Sequence, residues 1–143
     1  MTYKVVVGVD GSPHAEAALR WALADAEKHG GQVTALFAWQ VPFSSFPGLY
    51  DREALEQASK QFLIDTVSAV TPAPTVPLFP LVAEGDAAEA LIIAAKDADL
   101  LVLGTRGRSP LTGLLLGSVS QQCAAAARCP VVLVKRREDF AEG

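Results

Sequence analysis

Short apolar segments alternate with helical patterns along the whole chain. Each segment spans only four to seven residues and is rich in β-branched or leucine side chains, which is typical of strands buried on both faces. The five segments are 4–9, 33–39, 78–82, 100–103 and 131–134. Between them, apolar residues recur at helical spacing. Strands that alternate with helices in this way predict a parallel sheet covered on both faces.

The starts of the helices carry their own signals. Ser12 and Pro13 predict the first start, because serine is a good N-cap and proline fits the first helical position. The second helix is predicted over about 51–70, and Asp86 opens the third through a capping-box pattern. A fourth helix is predicted to begin at Ser118. Its expected inner residues are Val119, Cys123 and Ala126.

The order of the elements also predicts a topology. Right-handed crossovers favour an α/β fold with an open, doubly wound sheet of five parallel strands in the order 3-2-1-4-5, with helices on both faces. The third strand is expected at an edge, because Pro77 and Pro80 cannot donate to a ladder. Ligands of such sheets bind at the carboxyl ends of the strands where the winding reverses. Asp10 follows strand one and Gly104 follows strand four, so these two loops are predicted to meet at one site.

Composition narrows the class of protein. With 143 residues, half of them hydrophobic and a fifth charged, the chain predicts one domain over 1–136 and a polar tail over 137–143. The formal net charge of −4 disfavours nucleic acid and anionic membranes as partners. Neither a membrane span nor a signal-peptide pattern is present, so we expect a cytoplasmic protein. Cys123 and Cys129 lack the spacing of a zinc site and are expected to be packing residues.

A pattern of glycines follows the fourth predicted strand. Gly104, Gly107 and Gly117-Ser118 form a G-x2-G-x9-G-S spacing. Glycine lets backbone N–H groups approach an anion closely, and a helix that opens at Gly-Ser presents N–H groups with a favourable dipole. The pattern therefore predicts a site for phosphate groups.

This glycine pattern, the Val-Gly-Val-Asp-Gly-Ser stretch at 7–12 and the Cys-Pro-Val-Val run at 129–132 closely resemble the universal stress protein family, over about residues 3–136. The resemblance implies a flavodoxin-like fold, a homodimer and a stress-associated cytoplasmic role. Members of the family divide into those that bind ATP and those that do not, and the complete glycine pattern marks the binding branch. The resemblance therefore implies a dimeric, ATP-binding regulator of the stress response that is not an enzyme.

The same resemblance implies roles for individual residues. The residues that the resemblance places at the phosphates are Gly104, Thr105, Arg106, Gly107, Arg108, Gly117, Ser118 and Val119. The residues that it places near the ribose and phosphates are Gly8, Val9, Asp10 and Ser12. By the same resemblance, Ala38 matches the position whose backbone contacts the edge of the adenine. Mg²⁺ is an optional companion of the triphosphate, and no metal ligand is assigned. The family dimer uses the last strand, which here holds Val131, Val132, Leu133 and Val134.

Other functions stay open from the sequence alone. Cyclic AMP or AMP is an alternative ligand, and slow ATP hydrolysis is an alternative activity. Efficient catalysis is disfavoured, because the chain lacks G-x4-G-K-[ST] and has no His or Glu beside the glycine loop. A flavin carrier would need a phosphate loop rich in Ser and Thr after strand one, although Trp39 is placed to stack on a ring. A ligand-free dimeric interaction module is the remaining alternative.

Overall fold

The computed structural model describes residues 2–41, 51–107 and 116–136. Strands and helices alternate through these residues, as the sequence pattern predicts. The strands are β1 (Lys4–Gly8), β2 (Gln32–Trp39), β3 (Leu78–Glu84), β4 (Leu100–Gly104) and β5 (Val131–Val134). The helices are α1 (Pro13–Lys28), α2 (Arg52–Val70), α3 (Ala87–Ala94) and α4 (Ser118–Ala126). Arg108 and the tail over 137–143 lie outside the described residues.

The strands form one parallel sheet in the order β3-β2-β1-β4-β5, which confirms the predicted doubly wound topology. The central strand β1 pairs with β2 on one side and with β4 on the other. β3 lies at one edge, where Pro80 stands opposite Ala35 of β2. The edge position expected from the missing proline N–H is confirmed.

Two apolar cores lie on opposite faces of this sheet. One core packs α1 and α2 against the sheet and contains Leu19, Leu63 and Val102. The other packs α3 and α4 against the opposite face and contains Leu91 and Cys123. Strand residues alternate between the two cores, because successive side chains of a strand point to opposite faces. The two-layer cover explains why the central strands β1 and β4 read as continuous apolar runs.

Three of the four helices begin with a side-chain cap. Ser12 Oγ accepts a hydrogen bond from the Ala15 N–H at 3.2 Å, and Pro13 occupies the first turn, as predicted. Asp51 and Asp86 cap α2 and α3 in the same manner. α4 begins at Gly117 without a side-chain cap. Within 2–41, 51–107 and 116–136, we find no helix with the length and apolar character needed to cross a bilayer.

Apart from one-residue shifts at the ends of β1, β2, β4 and α2, two details differ from the sequence-based expectation. β3 continues to Glu84, two residues beyond its predicted end, because β2 offers pairing partners as far as Trp39. Ala126 was expected on the inner side of α4 but is exposed. The helix ends at this residue, and Ala127 packs against the core in its place.

Candidate functional site

A cavity opens at the carboxyl ends of β1, β2 and β4, beside the starts of α3 and α4. The doubly wound order brings these strand ends together, because β1 and β4 are neighbours and their connections leave towards opposite faces. Ten residues that the sequence assigns to the site line this cavity: Gly8, Val9, Asp10, Ala38, Gly104, Arg106, Gly107, Gly117, Ser118 and Val119. Segments that lie up to 111 residues apart in the chain, from Gly8 to Val119, therefore share one cavity.

Two residues of the predicted set lie outside the cavity lining. Ser12 is buried and uses its hydroxyl to cap α1. Thr105 is also buried, and its N–H donates to the Val134 carbonyl at 3.1 Å while its own carbonyl accepts from the Gly117 N–H at 2.7 Å. In the structure, both residues hold neighbouring segments in place. The third residue that does not appear in the lining, Arg108, lies outside the described residues.

Asp10 connects the loop after β1 with the glycine loop. Its Oδ1 atom accepts a hydrogen bond from the Ser12 N–H at 2.8 Å, which closes the turn into α1. Its other oxygen faces Gly107, because a Cβ atom added there would lie 3.0 Å from Asp10 Oδ2. A side chain at position 107 would therefore press on the carboxylate, and glycine keeps this wall of the cavity open.

Gly104 is a glycine for a different reason from the one the sequence indicates. A Cβ atom added at Gly104 would lie 2.7 Å from the carbonyl carbon and oxygen of His14, and 2.8 Å from its Cβ. Contacts this short do not occur in real structures, so the first turn of α1 would have to move away from β4. The absent side chain therefore makes room for α1.

The start of α4 gives the cavity its capacity for anions. The first N–H groups of a helix have no acceptor within the helix, and Gly117 has no side chain to provide one. Ser118, Val119 and Ser120 form this first turn and line the cavity. Backbone N–H groups at a helix start, with the helix dipole behind them, favour a negative charge. Arg106 lines the same cavity and adds a permanent positive charge.

Part of the cavity lining is apolar. Leu36, Ala38, Leu91 and Leu103 belong to the core on the α3 and α4 face of the sheet and form what we call the apolar wall. Phe37 also lines the cavity, but its ring packs in the core on the other face, against Phe62 of α2 with ring centroids 4.8 Å apart. Trp39, suggested by the sequence as a stacking residue, does not line the cavity. The lining therefore combines an apolar surface that suits a flat ring with N–H groups that suit an anion.

Sequence reasoning missed seven lining residues: Ala15, Leu36, Phe37, Ala87, Leu91, Leu103 and Ser120. Six of them are apolar, and their residue types give no signal of chemistry because apolar residues fill every strand and helix of this chain. Position at a strand end is the one available signal, and it applies to Phe37 and Leu103. Ser120 carries a polar group next to the glycine pattern and is the residue that a closer reading of the sequence would have found.

The described residues contain no group of three or more His, Cys, Asp or Glu side chains arranged to hold a metal ion. Asp10 is the single carboxylate among the described lining residues. In the core beneath α3 and α4, burial and, to a smaller extent, the nearby Asp86 charge together raise the pKa of the Cys123 thiol to about 11. A buried thiol that keeps its proton at neutral pH is unreactive, so Cys123 acts as a packing residue.

Comparison with known proteins places this site in context. The sequence model described as "Universal stress protein family" matches residues 1–135. A universal stress protein of Thermus aquaticus is 36% identical over 137 residues, which cover 92% of this chain and 97% of the relative. A universal stress protein of Mycobacterium tuberculosis (strain ATCC 25618 / H37Rv) is 37% identical over 134 residues, which cover 92% of this chain and 45% of the relative. The chain thus spans about half the length of the mycobacterial relatives it matches.

Solved structures agree with the fold. The universal stress protein UspA from Lactobacillus plantarum superposes with a TM-score of 0.79 at 25% identity, over 92% of this chain and 97% of that one. A universal stress protein crystallised in complex with cAMP superposes with a TM-score of 0.68 at 28% identity, over 94% of this chain and 97% of that one. The fold is therefore shared along nearly the whole length of both structures.

Proposed function

The chain belongs to the universal stress protein family, and we propose that it binds an adenine nucleotide, ATP foremost, in the cavity at the carboxyl ends of β1 and β4. One observation carries the proposal. Gly104, Gly107, Gly117 and Ser118 of the glycine pattern line the same cavity as Asp10, together with an uncapped helix start and an apolar wall. This combination matches a nucleotide, whose base is flat and whose phosphates are anionic.

Each part of the nucleotide has a matching group of residues. The phosphates would bind the N–H groups of Ser118 and Val119, with Arg106 adding a charge-assisted hydrogen bond, while the Gly117 N–H stays bonded to the Thr105 carbonyl. The base would lie against the apolar wall, with the Ala38 backbone at its edge. Asp10 would face the ribose through its Oδ2 atom, because its Oδ1 atom already accepts a hydrogen bond from the Ser12 N–H. The Oδ2 atom also faces the glycine loop. Mg²⁺ would accompany the triphosphate through phosphate oxygens and water, since Asp10 is the only carboxylate among the described lining residues.

We propose that the bound nucleotide regulates the protein and is not a substrate for rapid turnover. A general base must lie within hydrogen-bond reach of the attacking water. Among the described residues that line the cavity, no His or Glu is present, and Asp10 already accepts one hydrogen bond from the backbone. This supports binding with at most slow hydrolysis. The proposed setting is a cytoplasmic response to stress.

We also propose that two copies of the chain associate through β5. The N–H groups of Leu101 in β4 and of Thr105, which follows β4, donate hydrogen bonds to the carbonyls of Pro130 and Val134, at 3.0 and 3.1 Å. Because backbone direction alternates along a strand, Val131 and Leu133 direct their N–H and C=O groups to the other side, which is the edge of the sheet. Such an edge can pair with another strand. Val131, Val132, Leu133 and Val134 are all half-buried, as expected for a strand that a partner could still cover.

The opposite edge of the sheet is less suited to strand pairing. β3 contains Pro80, which has no N–H to donate. Proline and other interruptions are the usual means by which proteins protect an edge strand. β5 contains no proline along Val131–Val134. This contrast supports β5 as the edge that pairs in a homodimer.

Cyclic AMP is the second candidate ligand, because the structural relative at 28% identity was crystallised with cAMP. The groups proposed for the base and ribose suit both nucleotides, and the two ligands differ in their phosphates. ATP carries a chain of three phosphates that can reach both the glycine loop and the start of α4. Cyclic AMP carries a single phosphate closed onto the ribose, and it would leave part of this surface to water.

Calorimetric titration of nucleotide-free protein tests the proposal, with ATP and Mg²⁺ in one series and cAMP in the other. We expect saturable binding of ATP and its loss in Gly107→Ala, where the new Cβ atom would press on Asp10 Oδ2. Ser59→Ala on α2, a buried position outside the cavity lining, is the control and should bind as the unmodified chain does. Tighter binding of cAMP would keep the site and change the ligand. Absence of binding for both nucleotides would leave the dimeric interaction module as the function.

A further inference from the structure

We infer that Ser120 is a positioning residue that holds the start of α4 in place for the phosphates, and therefore sets the affinity for phosphate-bearing nucleotides without affecting the affinity for the nucleoside. This inference rests on the proposed function. Ser120 lies outside the G-x2-G-x9-G-S pattern, which ends at Ser118. Its role comes from its contact with the end of β4.

The first observation is a buried hydrogen bond. Ser120 Oγ donates to the Gly104 carbonyl at 2.7 Å, and Ser120 is only 4% exposed. The two residues lie 16 positions apart in the chain, so the bond joins two separate elements. Serine at the third position of a helix has no capping role of this kind, since a capping box would direct a Glu or Gln back to the N-cap N–H. Ser120 instead reaches across to β4.

The second observation is a parallel bond beside it. The Gly117 N–H donates to the Thr105 carbonyl at 2.7 Å. The first turn of α4 is therefore attached to two consecutive carbonyls, those of Gly104 and Thr105. The Ser120 bond is the only one of the two that depends on a side chain, so mutation can remove it alone.

The third observation concerns Gly104, whose carbonyl accepts the Ser120 hydrogen bond. Gly104 is packed so closely against the His14 backbone that a single added Cβ atom would lie 2.7 Å from it. The acceptor of the Ser120 hydroxyl is thus fixed between β4 and α1, and it cannot follow α4 if the helix start shifts. Ser120 therefore sets the position of the N–H groups of Ser118 and Val119 relative to the glycine loop.

Small displacements of these N–H groups matter for anions. Hydrogen bonds weaken steeply away from 2.7–3.2 Å and from linear geometry. In enzymes, a displacement of about 1 Å in a positioned group can lower the reaction rate by a factor of about 100. Loss of the Ser120 hydrogen bond should allow the start of α4 to shift by less than this, because the hydrogen bond from the Gly117 N–H remains. We therefore expect about a tenfold loss of ATP affinity. Adenosine contacts the apolar wall and Asp10, and its affinity should stay within about twofold.

The experiment measures the dissociation constants of ATP and adenosine by calorimetry for the unmodified chain, Ser120→Ala and Ser120→Thr. Ser59→Ala removes a hydroxyl from another buried helix position and is the matched control. Ser120→Ala is expected to weaken ATP about tenfold and to leave adenosine unchanged, whereas Ser120→Thr keeps the hydroxyl and should restore ATP binding. Each variant is titrated at a temperature at which circular dichroism shows it fully folded.

Three results would overturn the inference. Equal weakening of ATP and adenosine would mean that Ser120 supports only the fold. Unchanged ATP affinity in Ser120→Ala would mean that the Ser120 hydrogen bond does not position the start of α4. Failure of the unmodified chain to bind either ligand would refute the proposed function, and the inference with it. If Ser120→Ala does not fold, Ser120→Cys provides the same comparison, because its thiol has a similar volume and is a weaker donor.

Discussion

Alanine at position 104 should destabilise the protein, whereas alanine at position 107 should not, although both glycines belong to the same motif. At Gly104 the new Cβ atom would lie 2.7 Å from two backbone atoms of His14. It would have to retreat by about 0.7 Å to reach the 3.4 Å at which ordinary van der Waals contact begins. At Gly107 the nearest atom is the end of the Asp10 side chain, at 3.0 Å, and that side chain can rotate.

The size of the effect follows from these contacts. Forcing an extra carbon into a packed interior costs about 1–3 kcal/mol, and the upper value applies at Gly104 because the obstacle is backbone. Replacing glycine by alanine lowers the entropy of the unfolded chain and returns about 0.4–1 kcal/mol. The net loss in the free energy of unfolding is about 2 kcal/mol for Gly104→Ala. For Gly107→Ala the two contributions nearly cancel, and the change should stay within about 0.5 kcal/mol.

Urea unfolding followed by circular dichroism measures both variants against the unmodified chain. Gly104→Ala should reduce the free energy of unfolding with little change in the urea dependence, and it should lower the melting temperature by about 4–8 °C. Gly107→Ala should melt within about 2 °C of the unmodified chain and still fail to bind ATP. Equal stability of the two variants, or a greater loss in Gly107→Ala, would refute the argument that α1 packing requires glycine at position 104.

Two further predictions concern the second core and the sheet edge. Raising the pH from 8 to 10 should reduce the free energy of unfolding by about 1 kcal/mol through Cys123. Burial raises the pKa of this thiol from 9.0 to about 11, so its contribution is complete below pH 9 and is lost as the pH rises through 11. Urea unfolding of Cys123→Ala under reducing conditions should lack this loss, and identical pH dependence in the two chains would contradict the assignment. Val132→Glu on β5 should reduce the mass measured by light scattering to that of a monomer, whereas Val82→Glu, at a half-buried valine packed against the same core from β3, should not. Equal masses for these two variants would remove β5 as the interface.

Much of the fold was predictable from the sequence, because the signals it rests on are local. Five short apolar runs separated by helical spacing predict five strands and four helices, and the rules of right-handed connection then leave few possible orders. The Ser12 cap and the edge position of β3 follow from single residue types, and both are confirmed. The error at Ala126 arose where a helix ends, since the last turn of a helix carries the weakest periodic signal.

The site was predictable on its polar side and unpredictable on its apolar side. Glycines, an aspartate and a Gly-Ser helix start are unusual at strand ends, so their residue types identify them. Phe37 and Leu91 are ordinary core residues in type, and only the position of the cavity distinguishes them from other core residues. Ser12 and Thr105 show the converse, since they stand beside the motif in sequence but hold the surrounding segments in the structure.

The sequence by itself determined the order of the elements, the topology of the sheet and the family, because periodicity, capping and motif spacing depend on residues close together in the chain. Only the tertiary structure decided what individual residues of the motif do. The reason for glycine at position 104 is the backbone of His14, which lies 90 positions earlier in the chain. The partner of Ser120 is a carbonyl 16 positions away. Distances of this kind exist only after the sheet has brought the ends of β1 and β4 together, and no local pattern encodes them.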